Sequence, residues 1–93
     1  MISNESAKHL TTKVTYQTHG TCSKYICISV DENGVVQEAQ FIGGCDGNTK
    51  GVCSLIRGMK AQEVIARLKG ITCGNKSTSC PDQLATALQE MGY

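Results

Sequence analysis

The run Tyr25-Ile26-Cys27-Ile28-Ser29-Val30-Asp31-Glu32-Asn33-Gly34-Val35-Val36-Gln37-Glu38-Ala39-Gln40-Phe41-Ile42 decides the fold. At its start, Ile26, Ile28 and Val30 alternate with Tyr25, Cys27 and Ser29. That two-residue period belongs to a strand with one buried face. Asp31-Glu32-Asn33-Gly34 then breaks the pattern, and its Asn-Gly pair accepts the positive φ that tight hairpins require. Alternation resumes over 35–42, with Val35, Gln37, Ala39 and Phe41 set against Val36, Glu38, Gln40 and Ile42. The stretch reads as two antiparallel strands joined by a short turn.

Upstream, Val14 and Tyr16 stand among threonines in a first strand over 13–18. His19-Gly20-Thr21-Cys22-Ser23 is a loop. Three consecutive strands with short connections favour an antiparallel meander. Residues 1–12 are polar and read as a flexible tail. Downstream the period changes. Gly43-Gly44-Cys45-Asp46-Gly47-Asn48 is a glycine-rich loop whose Asn48 is suited to cap a helix from Thr49. Val52, Leu55, Ile56 and Met59 follow at helical spacing, and Gly58 closes that helix. A second helix over 61–69 carries Val64, Ile65 and Leu68 on one side, with Gly70 after its end. Residues 71–79 are irregular. Pro81 suits the first turn of a third helix, where its missing N–H costs nothing. Leu84, Leu88 and Met91 form that helix's apolar face. The fold class is therefore α+β: a three-stranded antiparallel meander followed by about three helices on one face of the sheet. A single domain over 13–93 follows the tail.

Composition narrows the function. A 93-residue chain buries only roughly 60–65% of the surface its unfolded form exposes, so its core is thin. No apolar run approaches the roughly 20 residues of a membrane-spanning helix. No charged-then-apolar leader opens the chain, which argues against an export signal. Nine basic and eight acidic side chains nearly cancel. Nucleic-acid binding would call for clustered positive charge, and few aromatics are present for base stacking.

Six cysteines, at 22, 27, 45, 53, 73 and 80, are the anomaly. In a secreted chain they would read as three disulfides. Without an export signal the expected setting is the cytoplasm, where thiols stay reduced and dense cysteine points to metal, iron–sulfur or redox chemistry. Cys22, Cys45, Cys73 and Cys80 fall in loops or at element ends, where sites are usually built. Cys27 and Cys53 fall inside regular elements and read as small buried hydrophobes. Cys45 and Cys80 lie beside expected helix N-termini, whose partial positive charge favours thiolate, the form that ligates metal. The chain holds no C-x-x-C, so ribbon-type zinc spacing and thioredoxin-type exchange are both missing. The glycine loop matches neither phosphate-binding pattern. His19 stands three residues before Cys22, within reach of the same centre, but an exposed loop histidine is the plainer reading. His9 has no evident role. Asp46 reads as a turn residue and Asp82 as a helix-dipole residue.

Thr78-Ser79-Cys80-Pro81-Asp82 spells the motif that names the TSCPD-domain family. The stretches Thr21-Cys22-Ser23-Lys24-Tyr25-Ile26 and Gly43-Gly44-Cys45-Asp46-Gly47-Asn48, with Cys73 through Leu84, resemble its short stand-alone branch of four cysteines. The resemblance spans about residues 13–90 and maps the family cysteines onto Cys22, Cys45, Cys73 and Cys80. Related domains sit at the C-terminal end of coenzyme-B12-dependent ribonucleotide reductases. A chain of this length cannot build such a reductase, so the resemblance implies an accessory role or no link to a reductase at all. The element order is also similar to the U-type iron–sulfur scaffold proteins, with Cys22, Cys45 and Cys80 at the positions of their ligands. There the scaffold's acidic residue is Lys24 and its histidine is Ser79, while Cys73 offers a fourth thiolate.

The expectation is a small cytoplasmic domain that binds zinc or an iron–sulfur cluster through Cys22, Cys45, Cys73 and Cys80. Its expected protein partner is linked to nucleotide reduction, with no part for nucleic acid or membrane. Two alternatives are an interaction or regulatory module for ribonucleoside-diphosphate reductase, and a thiol redox protein in which Cys80 attacks and Cys73 resolves.

Overall fold

A computed structural model of the chain describes residues 11–21, 23–43 and 46–93. Strands β1 (Thr11–Gln17), β2 (Ser23–Asp31) and β3 (Val36–Gly43) form one antiparallel sheet in the order β1-β2-β3. Helices α1 (Asp46–Ile56), α2 (Ala61–Leu68) and α3 (Cys80–Glu90) follow. The α+β meander is as expected. The first strand begins at Thr11, two residues before the expected boundary, because Thr11 and Thr12 pair with Asp31 and Val30. Residues 1–10, where a flexible tail over 1–12 was expected, lie outside the described residues.

The central strand supplies the floor of the core. Ile26, Ile28 and Val30 are fully buried, as their alternation requires. Across the sheet Ile26 sits between Tyr16 and Phe41, and Ile28 between Val14 and Ala39. The third strand departs from strict alternation. Ser29 pairs with Glu38 but Val30 pairs with Val36, so Gln37 is an extra residue on β3. This bulge turns Val36 onto the same inner face as Ala39 and Phe41, which parity alone had put opposite.

The β2–β3 turn also differs in detail. Gly34 alone takes positive φ, at 79°, and Asn33 does not. The Asp31 carboxylate does the shaping instead, with Oδ1 accepting from the Asn33 and Val35 amides, each at 2.9 Å. A side chain that bonds the backbone two residues on lets an ordinary turn close with one left-handed glycine.

Two helix expectations need correction. The first helix starts at Asp46, so Asn48 lies within it and is not its cap. Its inward residues are Thr49, Val52, Cys53 and Ile56, and Leu55 is 77% exposed. Packing of that stripe on β3 overrides the weak helix propensity of Gly47 and Asn48. The turn after α1 is pinned to the start of β3, where the Gly58 amide donates to the Val36 carbonyl and the Val36 amide to the Met59 carbonyl, both at 2.8 Å. Helix α3 then buries Leu84, Ala85, Ala87 and Leu88 against α2 and β2. No helix is long and apolar enough to cross a membrane among the described residues.

Candidate functional site

The first turn of α3 carries the Thr78-Ser79-Cys80-Pro81-Asp82 stretch, and most of its letters have a structural task. Ser79 is the N-cap, with extended backbone and an Oγ that accepts from the Asp82 amide at 3.1 Å. The same hydroxyl donates to the Ile71 carbonyl at 2.7 Å. Pro81 occupies the first turn, where no amide donor is needed. Thr78 donates to Asp82 Oδ2 and accepts from Gln83 Nε2 at 3.0 Å. Gln83 Oε1 in turn accepts from the His19 amide at 3.0 Å, which ties the β1–β2 loop to the helix. Gly20, with φ of 75°, passes so close that an added Cβ would meet the Thr78 methyl carbon at 3.0 Å.

Asp82 is more than a helix-dipole residue. Its side chain is buried, and Oδ1 accepts from the Gly70 amide at 2.7 Å with Lys69 Nζ at 3.8 Å. Burial alone would raise its pKa. The Thr78 hydroxyl, the Gly70 amide and the Lys69 ammonium outweigh that and hold the carboxyl below its ordinary value. Nothing in the residue spacing announces this network, because it joins positions brought together only by the tertiary fold.

Cys80 is the one letter of the motif without a backbone duty for its side chain. It opens α3, half-buried, with Sγ 3.3 Å from Ser23 Oγ. Ser23 itself is buried and begins β2 opposite Gly43 at the end of β3. Cys73 lies in the irregular segment, as expected, and is exposed. Its amide donates to the Thr78 carbonyl at 3.2 Å, and its carbonyl accepts from the Lys76 amide at 3.0 Å. Cys73 and Cys80 line one open cavity of about 380 Å³. Phe41, Val52, Ile71 and Pro81 supply its apolar walls, and Asn48 and Thr49 its polar edge. The sequence had singled out neither the aromatic wall nor the Ser23 contact.

Cys22 and Cys45 lie outside the described residues. Among the described residues no group of three or more His, Cys, Asp or Glu side chains is arranged to hold a metal. His19 is exposed, stands edge-on to Tyr16 with ring centres 6.5 Å apart, and does not line the cavity. Of the two cysteines expected as small buried hydrophobes, Cys53 is one and Cys27 is not, because the helices cover only the other face of the sheet. Cys27 is half-buried on the outer sheet face, 3.8 Å from Thr15 Oγ1. Cys53, on the inward face of α1, is buried; burial pushes its thiol pKa up, and the Phe41 backbone and Arg57 pull it back only in part.

Two cysteines lining one partly apolar cavity are a residue set that can ligate a soft metal centre or exchange electrons as a pair. The family model described as the TSCPD domain matches residues 4–92. No curated protein and no solved structure matches the chain.

Proposed function

The chain belongs to the TSCPD-domain family, and we propose that it is a small domain that binds zinc or an iron–sulfur cluster through Cys22, Cys45, Cys73 and Cys80. One observation carries the reading. Cys73 and Cys80, distant from the sheet in sequence, line the same cavity, and Cys80 touches Ser23 at the sheet end where Ser23 pairs with Gly43. Ser23 follows Cys22 directly, and Gly43 precedes Cys45 by two residues. The described neighbours of all four cysteines thus converge on one end of the domain.

The donor type fits. Thiolates are soft ligands that suit zinc and iron–sulfur centres, and the apolar walls would slow loss of the centre to solvent. Bound there, such a centre would cross-link the sheet end, the 71–79 segment and the start of α3. Such a site needs reduced thiols, so the reading includes a cytoplasmic setting. Its link to ribonucleotide reduction is an accessory one, with a reductase as the protein partner to try first.

The test is metal and acid-labile sulfide content, with the visible spectrum, on protein purified without air. About one zinc per chain, or iron with sulfide and a brown colour, is expected. Serine at Cys22, Cys45, Cys73 or Cys80 should lower that content, while Cys27→Ser and Cys53→Ser should not. Six variants that behave alike would overturn the ligand assignment. Protein that stays metal-free even when supplemented would overturn the function and favour the thiol redox alternative.

A further inference from the structure

We propose that Asp82, together with Ser79, is a positioning residue for the cysteine site: the two side chains fasten both ends of the Cys73 segment to the helix that Cys80 opens. The inference rests on the reading of Cys73 and Cys80 as ligands of one centre. Residues 71–77 are all exposed and belong to no helix or strand. A segment of that kind opens readily unless something ties it down. Here its upstream end is held twice. Gly70 donates to Asp82 Oδ1 at 2.7 Å, and the Ile71 carbonyl accepts from Ser79 Oγ at 2.7 Å. Its downstream end is held by Thr78, which donates to Asp82 Oδ2. One carboxylate therefore bridges the two ends of the segment, and Lys69 approaches it from outside.

Asp82 does not line the cavity, so it acts through the backbone it holds and not as a ligand. Buried carboxylates that orient metal ligands at one remove commonly matter about 10–100-fold for affinity. A helix cap without that role would affect only stability.

Cobalt(II) separates the two. Its charge-transfer absorption counts the thiolates bound to the metal, whatever the stability of the fold. Titrated with cobalt(II) alone under anaerobic conditions, Asp82→Ala should bind about 10–100-fold more weakly. Its thiolate–cobalt band should fall to the level of Cys73→Ser. Asp82→Asn keeps an oxygen for Gly70 and offers an amide to Thr78 Oγ1, so it should restore the band. Leu88→Ala, which loosens the core away from the segment, should keep the wild-type band. In metal-free protein, Asp82→Ala and the milder Ser79→Ala should speed amide exchange at Gly70 and Cys73. A wild-type band and affinity in Asp82→Ala, or an equal band loss in Leu88→Ala, would overturn the positioning role. Unchanged exchange at Gly70 and Cys73 would do the same. A wild-type protein with no thiolate–cobalt band would instead overturn the ligand reading on which the inference stands.

Discussion

Ser23 Oγ and Cys80 Sγ lie 3.3 Å apart, 57 residues from each other in sequence. This contact joins the first residue of β2, the central strand of the meander, to the first residue of α3, the last helix. A sulfur at position 23 would stand within bonding range of Cys80. Ser23→Cys should therefore form a disulfide with Cys80 on mild oxidation of the metal-free protein. Peptide mapping should recover the 23–80 link. In the chain-entropy view, closing so long a loop stabilises the fold by about 4 kcal/mol. Failure to cross-link under conditions that oxidise Cys73 would refute the juxtaposition.

Thiol accessibility gives a second prediction. Cys73 is exposed, Cys27 and Cys80 are half-buried, and Cys53 is buried with its thiol pKa raised. Alkylation needs both access and thiolate. Among the four described cysteines, in metal-free protein near neutral pH, Cys73 should be labelled first and Cys53 last, at least about tenfold more slowly, because Cys53 reacts only when α1 opens from β3. Pulsed alkylation read by mass spectrometry checks the order. Cys53 reacting as fast as Cys73 would show that the α1–sheet contact is not maintained.

The leucines offer a third, on stability. Leu84 and Leu88 are fully buried, whereas Leu55 is 77% exposed. Leu84→Ala and Leu88→Ala should each cost about 2–5 kcal/mol through lost burial and the cavity left behind. Leu55→Ala should stay within about 0.5 kcal/mol, as exposed changes do. Urea denaturation with a constant slope for all three would measure it. A large cost at Leu55 would mean that its side chain is covered in solution.

Leu55 also shows where reading the chain stops. Helical spacing alone allows two stripes, one through Val52, Leu55 and Ile56 and on to Met59 beyond the end of α1, the other through Thr49, Val52, Cys53 and Ile56. The second wins because Thr49 and Cys53 are buried beside Ala39, Gln40 and Phe41 of β3, which periodicity cannot know. The hairpin was legible because Ile26, Ile28 and Val30 keep a strict period of two. Val36 was not, because the extra Gln37 reverses its face and bulges carry no reliable composition signal. At the candidate site, Pro81 announced the start of α3 and with it the place of Cys80. The shared cavity of Cys73 and Cys80, and the Asp82 network behind it, depend on contacts between Gly70, Ile71 and the α3 cap. Those are tertiary facts, and a dipole residue and a network hub look alike as a lone aspartate.

Cys53 supports a last prediction, in alkaline solution. Its thiol is buried, and that burial raises its pKa above the ordinary 9.0, with the Phe41 backbone and Arg57 opposing the shift only in part. The folded chain thus holds the Cys53 proton more tightly than the unfolded chain does. Stability from this group is fully present below the unfolded value and is lost as pH rises through the folded one, because the unfolded state gains the thiolate first. Cys53→Ala removes the titration and leaves every other group in place. The stability difference between wild type and Cys53→Ala, measured in urea on metal-free protein, should be constant from pH 6 to 8, about a unit below the ordinary thiol range. Above pH about 9 it should shrink steadily, as the wild type loses its advantage. Lysines and tyrosines titrate in both proteins and cancel from the difference. Parallel profiles through the alkaline range would mean that Cys53 ionises as freely in the fold as out of it, and so that α1 does not seal it from water.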